Sequence, residues 1–160
     1  MRNSVAYFIC IPFFLLIAFG CGNSKNTQSV NKRGYELLES GVLDGAGEEG
    51  FGQEYIAVEN MDQLNDVLKR MNSVNEEISS LDIPADKTYF EEKMILFIFD
   101  EVRDERGYDL EISKTYSTPD HMHVDVQVIK EVDDAPTVVS QYYKVIEMEK
   151  SDKSLIVTFL

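Results

Sequence analysis

The chain has 160 residues, 44% of them hydrophobic, with 29 Asp and Glu against 15 Lys and Arg and a formal charge of −14. That is one domain's worth of sequence, with enough apolar side chains for a core. Nucleic-acid binding needs cations that displace counterions from phosphates, so this acidity excludes nucleic acid as a partner, and it repels anionic lipid headgroups as well.

The N-terminus opens with Arg2, the only positive charge before Val5. An apolar run over residues 5–19 follows, interrupted only by Pro12 and ended by Gly20 and Cys21. A charged start, an apolar middle and small residues at the end are the pattern of a secretory signal peptide. The run falls short of the roughly 20 apolar residues that a membrane-spanning helix needs, which predicts cleavage rather than a retained anchor. The stretch "AFGC", with Ala18 and Gly20 before Cys21, resembles the lipobox of bacterial lipoproteins. That resemblance implies that Cys21 is acylated and becomes the first residue of the mature chain. Each buried CH₂ of acyl chain adds about 0.8 kcal/mol of membrane affinity. Cys10 lies in the segment to be removed, so Cys21 is left alone and no intrachain disulfide is expected; acylation also disposes of the free thiol. Loss of Arg2 leaves 14 basic residues against 29 acidic.

Residues 21–34, "CGNSKNTQSVNKRG", are poor in apolar side chains and read as a flexible tether. The domain expected over residues 35–160 begins with a strand at 35–40 and a second at 54–60. "NMDQLNDVLKRMN" predicts the one amphipathic helix. Met61, Leu64, Val67, Leu68 and Met71 recur three or four residues apart, as one helical face requires. Asn60 can cap it, with Gln63 at the capping-box position; Asp62 near its start and Lys69 and Arg70 near its end suit the macrodipole. Pro84 marks a loop. Residues 94–99, "MILFIF", are continuously apolar but too few for a helix, and predict a central strand covered on both faces. "YDLEISKTY" and "HMHVDVQVI" alternate apolar and polar residues and predict a hairpin across residues 117–120. "QYYKVIEMEK" and "SLIVTFL" predict a last hairpin across residues 151–153. The pattern is that of an α+β, mostly β fold: an antiparallel, sandwich-like sheet of about seven short strands with one amphipathic helix. The connections are too short for helical crossovers.

Several stretches invite chemical readings. "GAGEEG" at residues 45–50 spells GxGxxG, but a dinucleotide fingerprint follows a strand and opens a helix. Here a strand follows instead, and Glu48 and Glu49 stand where phosphate charge would go, so an acidic loop is expected. His121, His123 and Asp125 share one face of a strand by its period of two, and imidazole with carboxylate suits a divalent ion. Asp109 or Glu111 would be the further ligands. The competing reading makes these the polar outer positions of a half-buried strand. Ser117 with the two histidines can be drawn as a hydrolase constellation, yet no nucleophile elbow accompanies it. "DEVRDERG" lacks the EF-hand order of ligands and is expected to be an exposed charged turn. Tyr108, Tyr142 and Tyr143, with Tyr116, offer either an aromatic partner surface or sheet packing.

Taken together, "YELLESG", "EYIAVENMDQLNDVLKRM", "DKTYFEEKMILFIFDE", "RGYDLEI", "HVDVQVI" and "SQYYKVIEME" resemble the PrcB-type C-terminal domain, a family named for an accessory subunit of a secreted bacterial protease complex. Its strand-opening Gly-Tyr is kept as Gly107-Tyr108. Its Gln-Pro-Tyr is here Gln141-Tyr142-Tyr143, without the proline, and its Asp-Phe is here Tyr89-Phe90. The resemblance implies a β-rich domain with one helix, no catalytic residues, no cofactor, and a role in assembling or stabilising an exported partner such as a protease. The expected function is that of a non-enzymatic, lipid-anchored protein of the bacterial cell envelope, in the outer membrane if the cell is Gram-negative. The alternative is a small-ligand or divalent-metal-binding lipoprotein that uses His121, His123 and Asp125.

Overall fold

The apolar run at residues 94–99 does lie in a strand with both faces covered. The computed structural model describes residues 34–74, 81, 88–133 and 136–160, all within the compact unit Asn31–Leu160. The expected signal segment, Cys21, nearly all of the tether and Pro84 lie outside the described residues.

In chain order the elements are β1 (Tyr35–Leu43), β2 (Glu54–Val58), α1 (Met61–Met71), α2 (Tyr89–Glu92), β3 (Lys93–Arg103), β4 (Tyr108–Ser117), β5 (His121–Lys130), β6 (Ser140–Glu149) and β7 (Ser154–Phe159). The fold is mostly β, in two sheets. One is antiparallel with the order β1-β6-β3-β2, and the other has the order β4-β5-β7.

The last predicted hairpin does not form. β6 and β7 belong to different sheets, and β7 runs parallel to β5, with His123 opposite Ile156 and Val124 opposite Val157. Parallel neighbours need a crossover, and β6 supplies it by passing through the opposite sheet. Three polar residues between two strands look like a hairpin turn, but at this corner they carry the chain from one layer to the other.

Alternation along β3 divides the core in two. Ile95, Phe97 and Phe99 face one side of the four-stranded sheet, packed with Leu64, Val67 and Met71 of α1 and with Phe51 and Phe90. Met94, Leu96 and Ile98 face the other side, packed with Leu110, Ile112, Val124 and Val126 of the second sheet. The result is three layers: helix, four-stranded sheet, three-stranded sheet. β6 is also covered on both faces, with Tyr143 and Val145 in the helix-side core and Tyr142, Ile146 and Met148 between the sheets.

α1 forms where its sequence specifies. The Asn60 side chain accepts from the Gln63 N–H at 2.9 Å, while Gln63 Oε1 reaches back to the Glu59 N–H at 2.8 Å. This is a capping box whose return bond lands one residue early. At the open side of the sandwich, the Tyr55 hydroxyl of β2 donates to the Leu155 carbonyl of β7 at 3.3 Å, tying an edge strand of each sheet together.

Candidate functional site

The histidine face is built on β5, the middle strand of the three-stranded sheet. Thr118 and His121 close the β4–β5 turn: the Thr118 N–H donates to the His121 carbonyl at 2.8 Å, and the His121 N–H donates to Thr118 Oγ1 at 3.1 Å. Register then sets Tyr116 opposite His123. Their rings stack at 4.5 Å and 1°, and His121 meets His123 edge-on at 5.9 Å. The Lys114 ammonium lies 4.6 Å from the centre of the Tyr116 ring.

Asp125 pairs in register with Lys114, and Glu111 lies opposite Gln127. Asp109 is turned to Lys144, at 3.1 Å. Among the described residues, no group of three or more His, Cys, Asp and Glu is placed to hold a metal ion. The arrangement is a short aromatic stack with one buried ring nitrogen, His121 Nδ1, that makes no hydrogen bond among the described residues.

Ser117 is met by Lys153, a residue that no local motif singles out. Lys153 Nζ donates to Ser117 Oγ at 2.6 Å and to the Thr118 carbonyl at 2.7 Å. An ammonium that donates to the hydroxyl and to a carbonyl braces the turn; it is not poised to take a proton from the hydroxyl. Lys153 comes next to this turn because β7 runs parallel to β5, a pairing that local patterns do not reveal.

Of the two readings of the tyrosines, sheet packing holds for Tyr142 and Tyr143 and the partner surface does not. Tyr142 and Tyr143 are 7% and 3% exposed, one in each core. The Tyr143 hydroxyl donates to Glu39 at 2.5 Å, and the Tyr142 hydroxyl accepts from the Gly107 N–H at 2.8 Å. Tyr108 packs edge-on against Tyr142 at 6.1 Å, and the Arg103 guanidinium lies 4.6 Å from its ring centre. Its hydroxyl donates to Glu105. That bond, followed by Lys130, holds the Glu105 carboxyl below its usual range.

"GAGEEG" is a turn between β1 and β2 and opens no helix, so the dinucleotide context is absent. It is more ordered than an acidic surface loop. Glu49 is 3% exposed, its Oε1 accepts from the Gly45 N–H at 2.9 Å, and Arg70 donates to the carbonyls of Glu49 and Gly50. "DEVRDERG" is likewise only partly an exposed turn. Asp100 is fully buried at a bulge in β3 and is held by Arg103 at 2.5 and 3.2 Å. The bond to Asp100 raises the Arg103 pKa.

These segments meet at one end of the sandwich. Gln141, fully buried, donates through Nε2 to the carbonyls of Asp100 at 2.7 Å and Phe51 at 3.0 Å. Arg106 pairs with Asp44 at 2.6 Å and donates its backbone N–H to Pro136 at 3.1 Å; Ser140 Oγ donates to the Glu105 carbonyl at 3.2 Å. Against this polar frame Val102, Val138 and Val139 stand 41%, 41% and 43% exposed. Singly exposed valines such as these are ordinary surface residues.

Among the described residues, no helix is long and apolar enough to cross a membrane. Compared with protein-family models, with curated proteins and with solved structures, the chain matches none.

Proposed function

We propose that this chain is a non-enzymatic, lipid-anchored protein of the bacterial cell envelope, a binding module that supports an exported partner in the manner of the PrcB-type domain it resembles. The binding role rests on the resemblance of the segments from residue 35 onward to that family's domain. Side chains that could do chemistry elsewhere are engaged in holding the fold: Ser117 by Lys153, and Tyr143 by Glu39. The anchored location rests on Arg2, the apolar run at residues 5–19 and the lipobox-like approach to Cys21. A protease or its assembly is the partner class that the family resemblance implies.

The test is mass spectrometry of the protein from the producing cell. A diacyl or triacyl modification on an N-terminal Cys21, lost with Cys21→Ser, is the expected result. An intact Met1 terminus with an unmodified thiol overturns the anchored reading. For the binding role, crosslinking in the intact envelope is expected to give one dominant protein adduct; adducts only to abundant bystanders count against it.

A further inference from the structure

We propose that β7 is the contact strand of a two-fold dimer, in which its outer edge pairs antiparallel with the β7 edge of a second copy of this chain and Val157 lies on the axis. This pairing stands apart from the anchored, partner-binding role and holds or fails without it.

The ladder to β5 fixes which backbone groups of β7 are left over. The Ser154 N–H donates to the Asp120 carbonyl and the Leu160 N–H to the Val126 carbonyl. The register between them is unbroken, so Ser154, Ile156, Thr158 and Leu160 turn their N–H and C=O groups toward β5. Leu155, Val157 and Phe159 turn theirs outward. β7 ends its sheet, and among the described residues the bond that reaches its outer edge is the one from the Tyr55 hydroxyl to the Leu155 carbonyl. The side chains of Leu155, Val157 and Phe159 pack against the core between the sheets, and each is only half-buried.

The other sheet edges are β1, β2 and β4, and each is blunted. β1 has a bulge between Leu37 and Glu39 and carries Glu36 and Glu39. β4 has a bulge between Ile112 and Lys114 and carries Asp109, Glu111 and Lys114. β2 is five residues long and begins at Glu54. Bulges, charges and short length keep an edge from pairing with another chain. β7 has no bulge, no ionisable residue, no proline and no glycine. The adjoining Lys153 is engaged by Ser117 and the Thr118 carbonyl.

A strand added here must offer outward backbone groups at alternate residues, with apolar side chains at those positions to extend the half-buried row. It must also be uncharged, since β7 holds nothing to pair a charge. β7 itself meets that description. About a two-fold axis at Val157, Val157 pairs with Val157 of the second copy, and Leu155 pairs with Phe159 of the second copy. The Leu155 carbonyl spends one lone pair on Tyr55 and keeps the other for the incoming N–H. Such self-complementarity is what a two-fold interface requires. Charge points the same way. The chain carries a formal charge of −14, and at this neutral strand two copies meet without like charges directly opposite each other.

The test uses the full chain, purified from the producing cell in mild detergent. Sedimentation velocity should show a concentration-dependent equilibrium of monomer and dimer. Val157→Pro leaves the β5 ladder its bonds, because the Val157 N–H points away from β5. It removes the central donor of each copy and should weaken the dimer at least about tenfold. Thr158→Lys changes only an exposed side chain and should weaken the dimer as lysine does at natural edges, so the edge is tested even if the proline variant fails to fold.

Disulfide trapping tests the register. Thr158 falls opposite Ile156 of the second copy in a non-hydrogen-bonded pair, with Cα atoms about 4.5 Å apart, within reach of a disulfide. Co-expressed chains with different tags, one Thr158→Cys and the other Ile156→Cys, should give a mixed dimer on oxidation. Thr158→Cys with Gln127→Cys, on the middle strand of the sheet, should not. A monomer at every concentration, a dimer indifferent to both edge variants, or equal trapping through residue 127 overturns the proposal. So does a photocrosslinker at residue 158 that joins another protein and never a second copy, an outcome that leaves the partner-binding role standing.

Discussion

The Glu49 carboxylate occupies the space above Gly45. Oε1 accepts from the Gly45 N–H at 2.9 Å, and a Cβ on residue 45 would approach that same oxygen to 2.3 Å. Glycine at this position is therefore matched to the buried acid and not to a phosphate. Gly45→Ala is expected to cost about 1–3 kcal/mol through overpacking and displacement of the carboxylate. In a Glu49→Ala background the same change should cost less than about 0.5 kcal/mol, as expected once the contacting partner is gone. Urea denaturation of the four proteins measures the coupling, and additive losses would show that the two residues do not meet in this way.

Gln141 joins β6 to the loop over the core, and its loss should be felt there. Gln141→Leu deprives the buried Asp100 and Phe51 carbonyls of donors, at about 1–3 kcal/mol for each unsatisfied group. Part of this is offset, because Gln141 Oε1 is itself buried without a partner among the described residues and leucine removes it. A net loss of about 2 kcal/mol is expected. Gln141→Glu should be worse, since a carboxylate has no donors and would face two carbonyl oxygens. Denaturation midpoints in that order bear out the account; equal midpoints for the Leu and Glu variants would contradict it.

What was legible in the sequence was local. α1 could be read from the spacing of Leu64, Val67 and Met71 and from Asn60, since caps and helical faces are fixed within a few residues. The burial of β3 could be read because an unbroken apolar run fits only a strand covered twice. The partner of β7 could not, since pairing with β5 depends on β6 crossing between layers. Tyr142 and Tyr143 were ambiguous for a related reason. Adjacent strand residues point to opposite faces, so one is expected outside unless both faces are covered, and β6 is covered on both. Asp100 and Gln141 look like surface residues in sequence; their partners come from the same bulge and from the loop after Gly50. The histidine face was predicted as a set, and the strand does align it. The stacking of Tyr116 on His123 follows from a register displaced by the bulge between Ile112 and Lys114, which alternation alone does not reveal.

That stack makes a measurable distinction between a ligand site and sheet packing. His121 and His123 meet edge-on at 5.9 Å, without a third ligating residue among those described. Saturating Zn²⁺ is expected to leave the melting temperature unchanged. A native-state ligand at a hundred times its Kd would add about 2.7 kcal/mol. His123→Ala, by contrast, should lower stability by about 0.5–1.5 kcal/mol by removing the stacked pair. Calorimetry with and without the metal checks both. A saturable rise in melting temperature, abolished by His123→Ala, would restore the metal reading.

The buried tyrosines predict how stability responds to alkali. Burial first, and then the hydrogen bond to Glu39, raise the pKa of the Tyr143 hydroxyl above its ordinary value. Burial and the bond to Glu147 do the same for Tyr89. In the unfolded chain these hydroxyls ionise near pH 10, roughly the free tyrosine value. Above that pH the folded protein keeps protons that the unfolded chain releases. The stabilisation is thus complete below the unfolded pKa and is lost as the pH rises from there toward the folded one. Melting temperatures should hold steady as pH 10 is approached and fall beyond it. Tyr143→Phe removes one of these raised groups, so its melting temperature should start lower at neutral pH, having lost the bond to Glu39, and then decline less steeply in alkali. Parallel curves for the two proteins above pH 10 would show that Tyr143 ionises as readily in the folded state as in the unfolded one.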